Sequence, residues 1–366
     1  MSRARDFADL ASAYSDGALG KRNMIRNGNM AVHQRGGTIT AGGTYSLDGW
    51  RDYRSNLDNH AFEITQAADV PSTFAGSGGK SLKFQTKTVE SALAADEEMR
   101  IATIIEAQNC QHLLYGGSSA KKFTISFWVK CSLTGVFAMQ IYMDDGGLNI
   151  GSTYTINSAD TWEYKTVTIV GNTSQAIAND NTIGFYVNWN LFAGSNYTST
   201  DNTSWGTYAA ARLAYGHVQN GLATTDESTW QLTGVQMEVG EVATAFEHES
   251  YAENLARCQR YFFRLKGDDG DYWGVPFSVY TTSSGEGTIR FPQAMRAKPA
   301  LTMSGTFNIK ANDDSADTTT APTIYATDDF LGANIYSSAV SGMTIGQPGN
   351  MRWKADSSYV DFSAEL

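Results

Sequence analysis

Residues 182–191 read TIGFYVNWNL, with Ile183, Phe185, Val187, Trp189 and Leu191 on one parity and Thr182, Gly184, Tyr186, Asn188 and Asn190 on the other. A two-residue period of this kind predicts a strand with one face in a core and the other wet. Working outward, Phe123, Ile125, Phe127 and Val129 alternate with Thr124, Ser126, Trp128 and Lys130. Phe137, Met139, Ile141 and Met143 repeat the pattern before Asp144-Asp145-Gly146-Gly147 turns the chain. In WQLTGVQMEV, 230–239, the apolar set moves from Trp230 and Leu232 to Val235, Met237 and Val239. A parity slip at Thr233-Gly234 predicts a β-bulge. Strands separated by Gly, Ser, Asn and Asp clusters, with hardly any helix between them, predict an all-β fold. Its main part is an antiparallel jelly-roll β-sandwich, followed by a smaller β-sandwich domain.

The chain has 366 residues, more than one hydrophobic core usually serves, so two domains are expected. Residues 1–20 carry Phe7, Leu10, Ala11 and Tyr14 at helical spacing and predict a short amphipathic attachment or oligomerisation segment. The jelly roll occupies 21–249. Residues 250–265 form a linker helix and strand, the helix placing Tyr251, Leu255 and Cys258 on one face, and the charged turn GDDGD opens a C-terminal β domain, 266–366. There, Tyr272 to Tyr280, Gly287 to Phe291, Leu301 to Ile309 and the alternating end from Val360 read as strands.

With 38 acidic against 27 basic residues, a net charge of −11, and no block of Lys and Arg, nucleic acid is not an expected partner. No window approaches the roughly 18 apolar residues of a membrane span, and the N-terminus is too polar for a signal peptide. The three cysteines, Cys110, Cys131 and Cys258, cannot all pair and suggest a reducing site of synthesis.

Candidate chemistry is sparse. His248-Glu249 lacks the second histidine of a zinc-protease helix, Ala252 standing nearby instead, and Cys258 reads as a small buried residue. Glu97-Glu98 and Asp268-Asp269 are adjacent acids of the kind that occupy turns, whereas a glycosidase needs two carboxylates facing across roughly 5 to 9 Å. The DDGD turn lacks the twelve-residue calcium-loop pattern. No cofactor and no metal are expected, and no enzymatic activity. What remains is the aromatic, amide-rich stretch 189–208. Trp189, Asn196, Tyr197, Trp205 and Tyr208 are the candidate carbohydrate-binding residues, supported by Thr198, Asn202 and Ser204, because sugar C–H faces stack on aromatic planes while hydroxyls pair with amides. Tyr272, Trp273 and Trp353 form a competing candidate in the C-terminal domain.

Several phrases together carry a resemblance: RNMIRNGNMAVHQRGG (22–37), LDGWRDY (47–53), FTISFWVKCSLTGVF (123–137), TWEYKTVTIVGNT (161–173) and LTGVQMEVGEVATAFEHESYAENLARCQRYFFRL (232–265). They resemble the jelly-roll modules, similar to carbohydrate-binding modules, of tailed-phage tail fibres and related virion fibre proteins. GTIRFPQAMRAKPALTMSG (287–305) and the ending YVDFSAEL resemble the small β domain that often closes such fibres. The resemblance implies a structural virion protein made in the host cytoplasm, a tail fibre or receptor-binding protein that recognises host surface polysaccharide without hydrolysing it. It also implies a homotrimer, docked on other virion proteins through the N-terminal segment. A head fibre or capsid decoration protein, and a capsule-depolymerising glycosidase, are the alternatives.

Overall fold

The computed structural model describes residues 22–366 apart from 41, 58, 75–77, 312–313, 318–322, 329 and 339–342. The expected amphipathic attachment segment, 1–20, lies outside the described residues. Two compact units divide the chain, one running to Tyr251 and the other from Ala252 to Glu365.

The first unit lays down β1 (Tyr45–Leu47), β2 (Trp50–Ser55), β3 (Ala61–Ala67), β4 (Ser81–Thr88), β5 (Glu98–Glu106), β6 (Phe123–Cys131), β7 (Gly135–Met143), β8 (Leu148–Ile156), β9 (Glu163–Ile169), β10 (Ile183–Ala193), β11 (Gly206–Thr207) and β12 (Thr229–Val239). They form a seven-stranded sheet, β1-β2-β5-β10-β7-β8-β11, and a five-stranded sheet, β3-β4-β12-β6-β9. Every pairing is antiparallel, and the two inner faces share one core, so this unit is the expected jelly-roll sandwich. Phe123, Ile125, Phe127 and Val129 of β6 and Phe185, Val187, Trp189 and Leu191 of β10 are all fully buried between the sheets. Those are the parities that the sequence assigns to the core.

The bulge in β12 is present. Pairing with β6 shifts between Thr233 and Gln236, and Gly234 takes a φ of 60°. A Cβ there would lie 2.7 Å from the Phe74 ring, so both the left-handed backbone and the close ring require glycine.

The phrases at 22–37 and 47–53 are structural in this fold. Asn23 holds the arm on β12, donating from Nδ2 to the Val235 carbonyl at 3.0 Å and accepting the Met237 N–H on Oδ1 at 3.0 Å. Asn27, in the left-handed region, donates to the carbonyls of Val32 and Asp48. The indole of Trp50 donates to the Asn27 carbonyl at 3.1 Å. Buried backbone groups of an irregular segment are thereby satisfied by side-chain amides.

The second unit begins with a helix, α1 (Tyr251–Gln259), and continues through β13 (Phe262–Gly267), β14 (Tyr272–Thr281), β15 (Ser284–Arg290), β16 (Ala300–Ser304), β17 (Phe307–Ala311), β18 (Asp314–Asp317), β19 (Thr323–Asp328), β20 (Gly332–Ser338), β21 (Pro348–Trp353) and β22 (Ser358–Ser363). A three-stranded sheet, β13-β22-β16, and a seven-stranded sheet, β18-β17-β21-β14-β15-β20-β19, share its core. The helix presents Asn254 and Cys258 inward; Tyr251, expected on that face, is 59% exposed. Leu301 to Ile309, which reads as one run, is two strands in different sheets, broken at Gly305 with a φ of 87°. The GDDGD turn is tied by its own acids: Asp268 accepts the Ser357 N–H at 2.8 Å and Asp271 accepts the Asp268 N–H at 3.1 Å.

Candidate functional site

The structure gathers a row of tyrosines on the outer face of the seven-stranded sheet. Tyr53 of β2, Tyr186 of β10 and Tyr142 of β7 lie on the outward parity, and Tyr208 follows β11, where its N–H donates to the Gly147 carbonyl at 2.8 Å. Successive ring centroids are 6.1, 5.5 and 5.1 Å apart from Tyr53 through Tyr186 and Tyr142 to Tyr208, at interplanar angles of 64°, 50° and 68°. Register explains the alignment, since Tyr186 pairs directly with Tyr142 across β10 and β7. Between β2 and β10, β5 contributes the buried Ile104 opposite Tyr186. All four rings are partly exposed; Tyr208 shows 41%. Burial raises the phenol pKa values of Tyr53, Tyr186 and Tyr142, so these three rings are neutral at physiological pH.

Beside the tyrosines runs a second row set by the same register: Arg51, Ala102, Asn188, Gln140 and Gly151. Asn188 and Gln140 face outward yet are 3% and 1% exposed. Asn188 Nδ2 donates to Gln140 Oε1 at 2.8 Å, which leaves Asn188 Oδ1 and Gln140 Nε2 without partners. Exchanging oxygen and nitrogen in both amides would still leave one donor and one acceptor over. Asn190 Oδ1, Arg51 Nε and Arg100 Nε on this face are also buried and unpartnered. Buried polar groups normally find partners, so several orphans on one patch beside aromatic rings mark a place where a polar ligand or water completes the network.

The segment 194–220 walls the row on one side. Arg212 fastens it, donating from Nε to Asn149 Oδ1 at 3.0 Å and from Nη2 to the Ser204 carbonyl at 2.8 Å. His217 clips it to β7, accepting the Ala138 N–H on Nδ1 at 3.1 Å and donating from Nε2 to the Gln219 carbonyl at 2.7 Å. Burial pushes this imidazole down to about 4 from an ordinary value near 6.5. Protonation would remove the Nδ1 acceptor. The folded state keeps His217 neutral while the unfolded chain protonates it below about 6.5, so its contribution is full above that pH and is lost as pH falls toward 4. The wild type is expected to lose up to about 3 kcal/mol across this window relative to His217→Gln. Thermal midpoints of the two proteins against pH check this; parallel curves would contradict it.

The residues expected at the site divide. Trp189 is a correction: it is fully buried, with its ring 5.5 Å from Trp50 and 5.7 Å from Phe127, because its parity on β10 points between the sheets. Trp205 covers the core edge, 6.0 Å from Tyr115, and its indole donates to the Val170 carbonyl at 2.7 Å. Tyr197 packs on Ala138, Ala193 and Ala214, and its hydroxyl donates to the Asp96 carbonyl at 3.0 Å. Asn202 is buried and bonded to the Arg212 carbonyl, whereas Asn196 is exposed. Only Tyr208 of the five belongs to the tyrosine row. In the second unit Trp273 and Trp353 are core, 4.6 Å apart, while Tyr272 is 53% exposed. Sequence reasoning missed Tyr53, Tyr142 and Arg51; the available signal was an aromatic at the polar parity of a strand, as at Tyr186.

No family model and no curated protein matches the chain. Among solved structures, the enzymatically active domain of bacteriophage CBA120 tailspike protein 4 aligns at 12% identity over 60% of this chain and 22% of its own, with a TM-score of 0.33. TmCBM61 in complex with beta-1,4-galactotriose aligns at 12% identity over 60% of this chain and 99% of its own, TM-score 0.29. The family 11 carbohydrate-binding module from Clostridium thermocellum, solved with a beta-1,3-1,4-mixed-linked tetrasaccharide, gives 10%, 58%, 98% and 0.28 for the same quantities. This chain thus spans less than a quarter of the tailspike chain's length.

Proposed function

We propose that the chain is a glycan-binding virion fibre protein of a tailed phage, which holds host surface polysaccharide on the outer face of the jelly roll without cutting it. The observation that carries the glycan reading is the tyrosine row beside the unpartnered amides of Gln140 and Asn188. Sugar rings stack on Tyr186, Tyr142 and Tyr208, and their hydroxyls supply the missing donor and acceptor. Each stacking contact contributes about 1 kcal/mol, so a single site is weak, and a homotrimer would raise the effective affinity through simultaneous engagement. The virion role rests on the fibre-like phrases in the sequence. In that setting residues 1–20 dock the chain on other virion proteins; a head fibre would use the same surface.

A depolymerase reading has one observation in its favour. Glu98 lies on the same outer face, burial raises its carboxyl pKa, and its Oε2 has no partner, properties that suit a general acid. Its other oxygen, however, is held by Arg100 at 2.7 Å and Ser55 at 3.2 Å. Asp52, the adjacent acid, sits on the opposite parity and accepts the Gly43 N–H at 2.7 Å. A hydrolase needs two cooperating carboxylates around the bond, and this pair does not share a face. Incubation with polysaccharide that the protein retains is expected to release no reducing ends. Steady release abolished by Glu98→Gln would transfer the assignment to the depolymerase.

A further inference from the structure

The chemistry at the Tyr53 end of the row goes beyond stacking. Arg51 stands over two rings, its guanidinium carbon 4.2 Å from the Tyr53 centroid and 5.2 Å from that of Tyr45. Nη2 donates to the Gly43 carbonyl at 3.1 Å, while Nε is buried without an acceptor. No carboxylate among the described residues pairs with it. Arg100, the neighbouring cation, differs: it also lies over Tyr53, at 4.8 Å, but Glu98 neutralises it at 2.7 Å in a pair whose side chains are 17% and 3% exposed. Cation–π contacts therefore hold Arg51 in one place without consuming its charge. The far side of the two central rings has the opposite sign. Asp144 follows Tyr142 just past the end of β7, so Tyr142 and Tyr186 stand between it and the Arg51–Asn188–Gln140 row; no counter-charge meets it among the described residues, and burial and then Asp145 disfavour its charge. The face is polarised across the tyrosines, with the Arg51 row on one side of Tyr186 and Tyr142 and the anion on the other.

We infer that the glycan is acidic, and that a sugar carboxylate is seated on the Arg51 guanidinium with the neighbouring rings running toward Tyr142 and Tyr208. Planar guanidinium and planar carboxylate match in geometry, and a charge-assisted bond in this partly desolvated setting is stronger than a neutral one. Repulsion from Asp144 keeps the carboxylate-bearing sugar on the Arg51 side of the central rings. An anionic ligand would thus be chosen by a chain whose net charge is −11, which requires a local cation of this kind to overcome the overall repulsion.

The inference rests on the proposed glycan reading, and the test separates the two. The full chain is titrated with a panel of acidic bacterial surface polysaccharides, each beside its own carboxyl-reduced form, in which the carboxylate has become a primary alcohol. Wild type is expected to bind an acidic member and to lose roughly tenfold or more in affinity on carboxyl reduction. Arg51→Gln should show the same loss toward the acidic form and little change toward the reduced one; Arg51→Lys should recover part of it; Tyr142→Ala should weaken both forms. Thermal midpoints confirm that the variants fold. Equal binding of acidic and reduced forms, or Arg51→Gln binding like wild type, would overturn the assignment of charge and leave glycan binding standing. Binding to no member of the panel would overturn both.

Discussion

Trp189→Ala is expected to lower the unfolding free energy of the first unit by about 3–5 kcal/mol, the usual cost of removing a large ring from a packed core. The ring is fully buried between β10 and the opposite sheet, against Trp50 and Phe127, and the vacated space lies at the centre of a rigid sandwich that can collapse only in part. Its indole N–H has no partner in the core, so Trp189→Phe removes that unsatisfied donor and should cost much less. Tyr208→Ala, on an exposed ring outside the core, should stay within about 0.5 kcal/mol. Urea unfolding of the three variants checks the order. Wild-type stability in Trp189→Ala would mean that this ring is not core and would reopen it as a surface residue.

The second large effect concerns binding. Tyr142→Ala combined with Tyr186→Ala removes the centre of the row, two rings 5.5 Å apart on paired strands. At about 1 kcal/mol for each stacking contact, affinity for the glycan should fall roughly tenfold to a hundredfold. Both rings face outward and are partly exposed, so the thermal midpoint should move far less than for Trp189→Ala. If the chain acts as the proposed trimeric fibre, the loss multiplies across its sites and adsorption to host cells should fall more steeply than the single-site constant. Calorimetry on the double variant checks the first number. Undiminished affinity would place the glycan elsewhere, with the exposed Tyr272 of the second unit as the next site to alter.

Much of the fold was legible because strand parity is a local property. Ile183 to Leu191, Phe123 to Val129 and the slip at Gly234 each declare their inward face within ten residues, and the core follows those parities. The site was hidden for the converse reason. Tyr53, Tyr142, Tyr186 and Tyr208 lie far apart in the chain and meet only because β5, β10 and β7 are neighbours in a sheet whose strand order is not the chain order. A window of composition, 189–208, drew attention to rings that the fold uses otherwise: Trp189 as core, Trp205 as a cover on the core edge, Tyr197 as packing for a wall segment. The parity of TIGFYVNWNL already placed Tyr186 and Asn188 together on the wet face, and a bulky aromatic at a wet position was the sign available. Leu301 to Ile309 misread for a related reason, since alternation continues across Gly305 although the chain changes sheets there. The face of α1 was displaced because burial selects Asn254 and Cys258, which a search for apolar residues alone does not rank together.

The most direct test observes the side-chain amides of Gln140 and Asn188, whose unpartnered atoms define the site. In proton–nitrogen correlation spectra of the full chain, assigned through Gln140→Glu and Asn188→Asp, addition of a bound polysaccharide fragment should shift the Gln140 Nε2 and Asn188 Nδ2 resonances, together with the backbone signals of Tyr142 and Tyr186. Shifts confined to 195–205 or to the second unit, with both amides unmoved at saturation, would contradict the account.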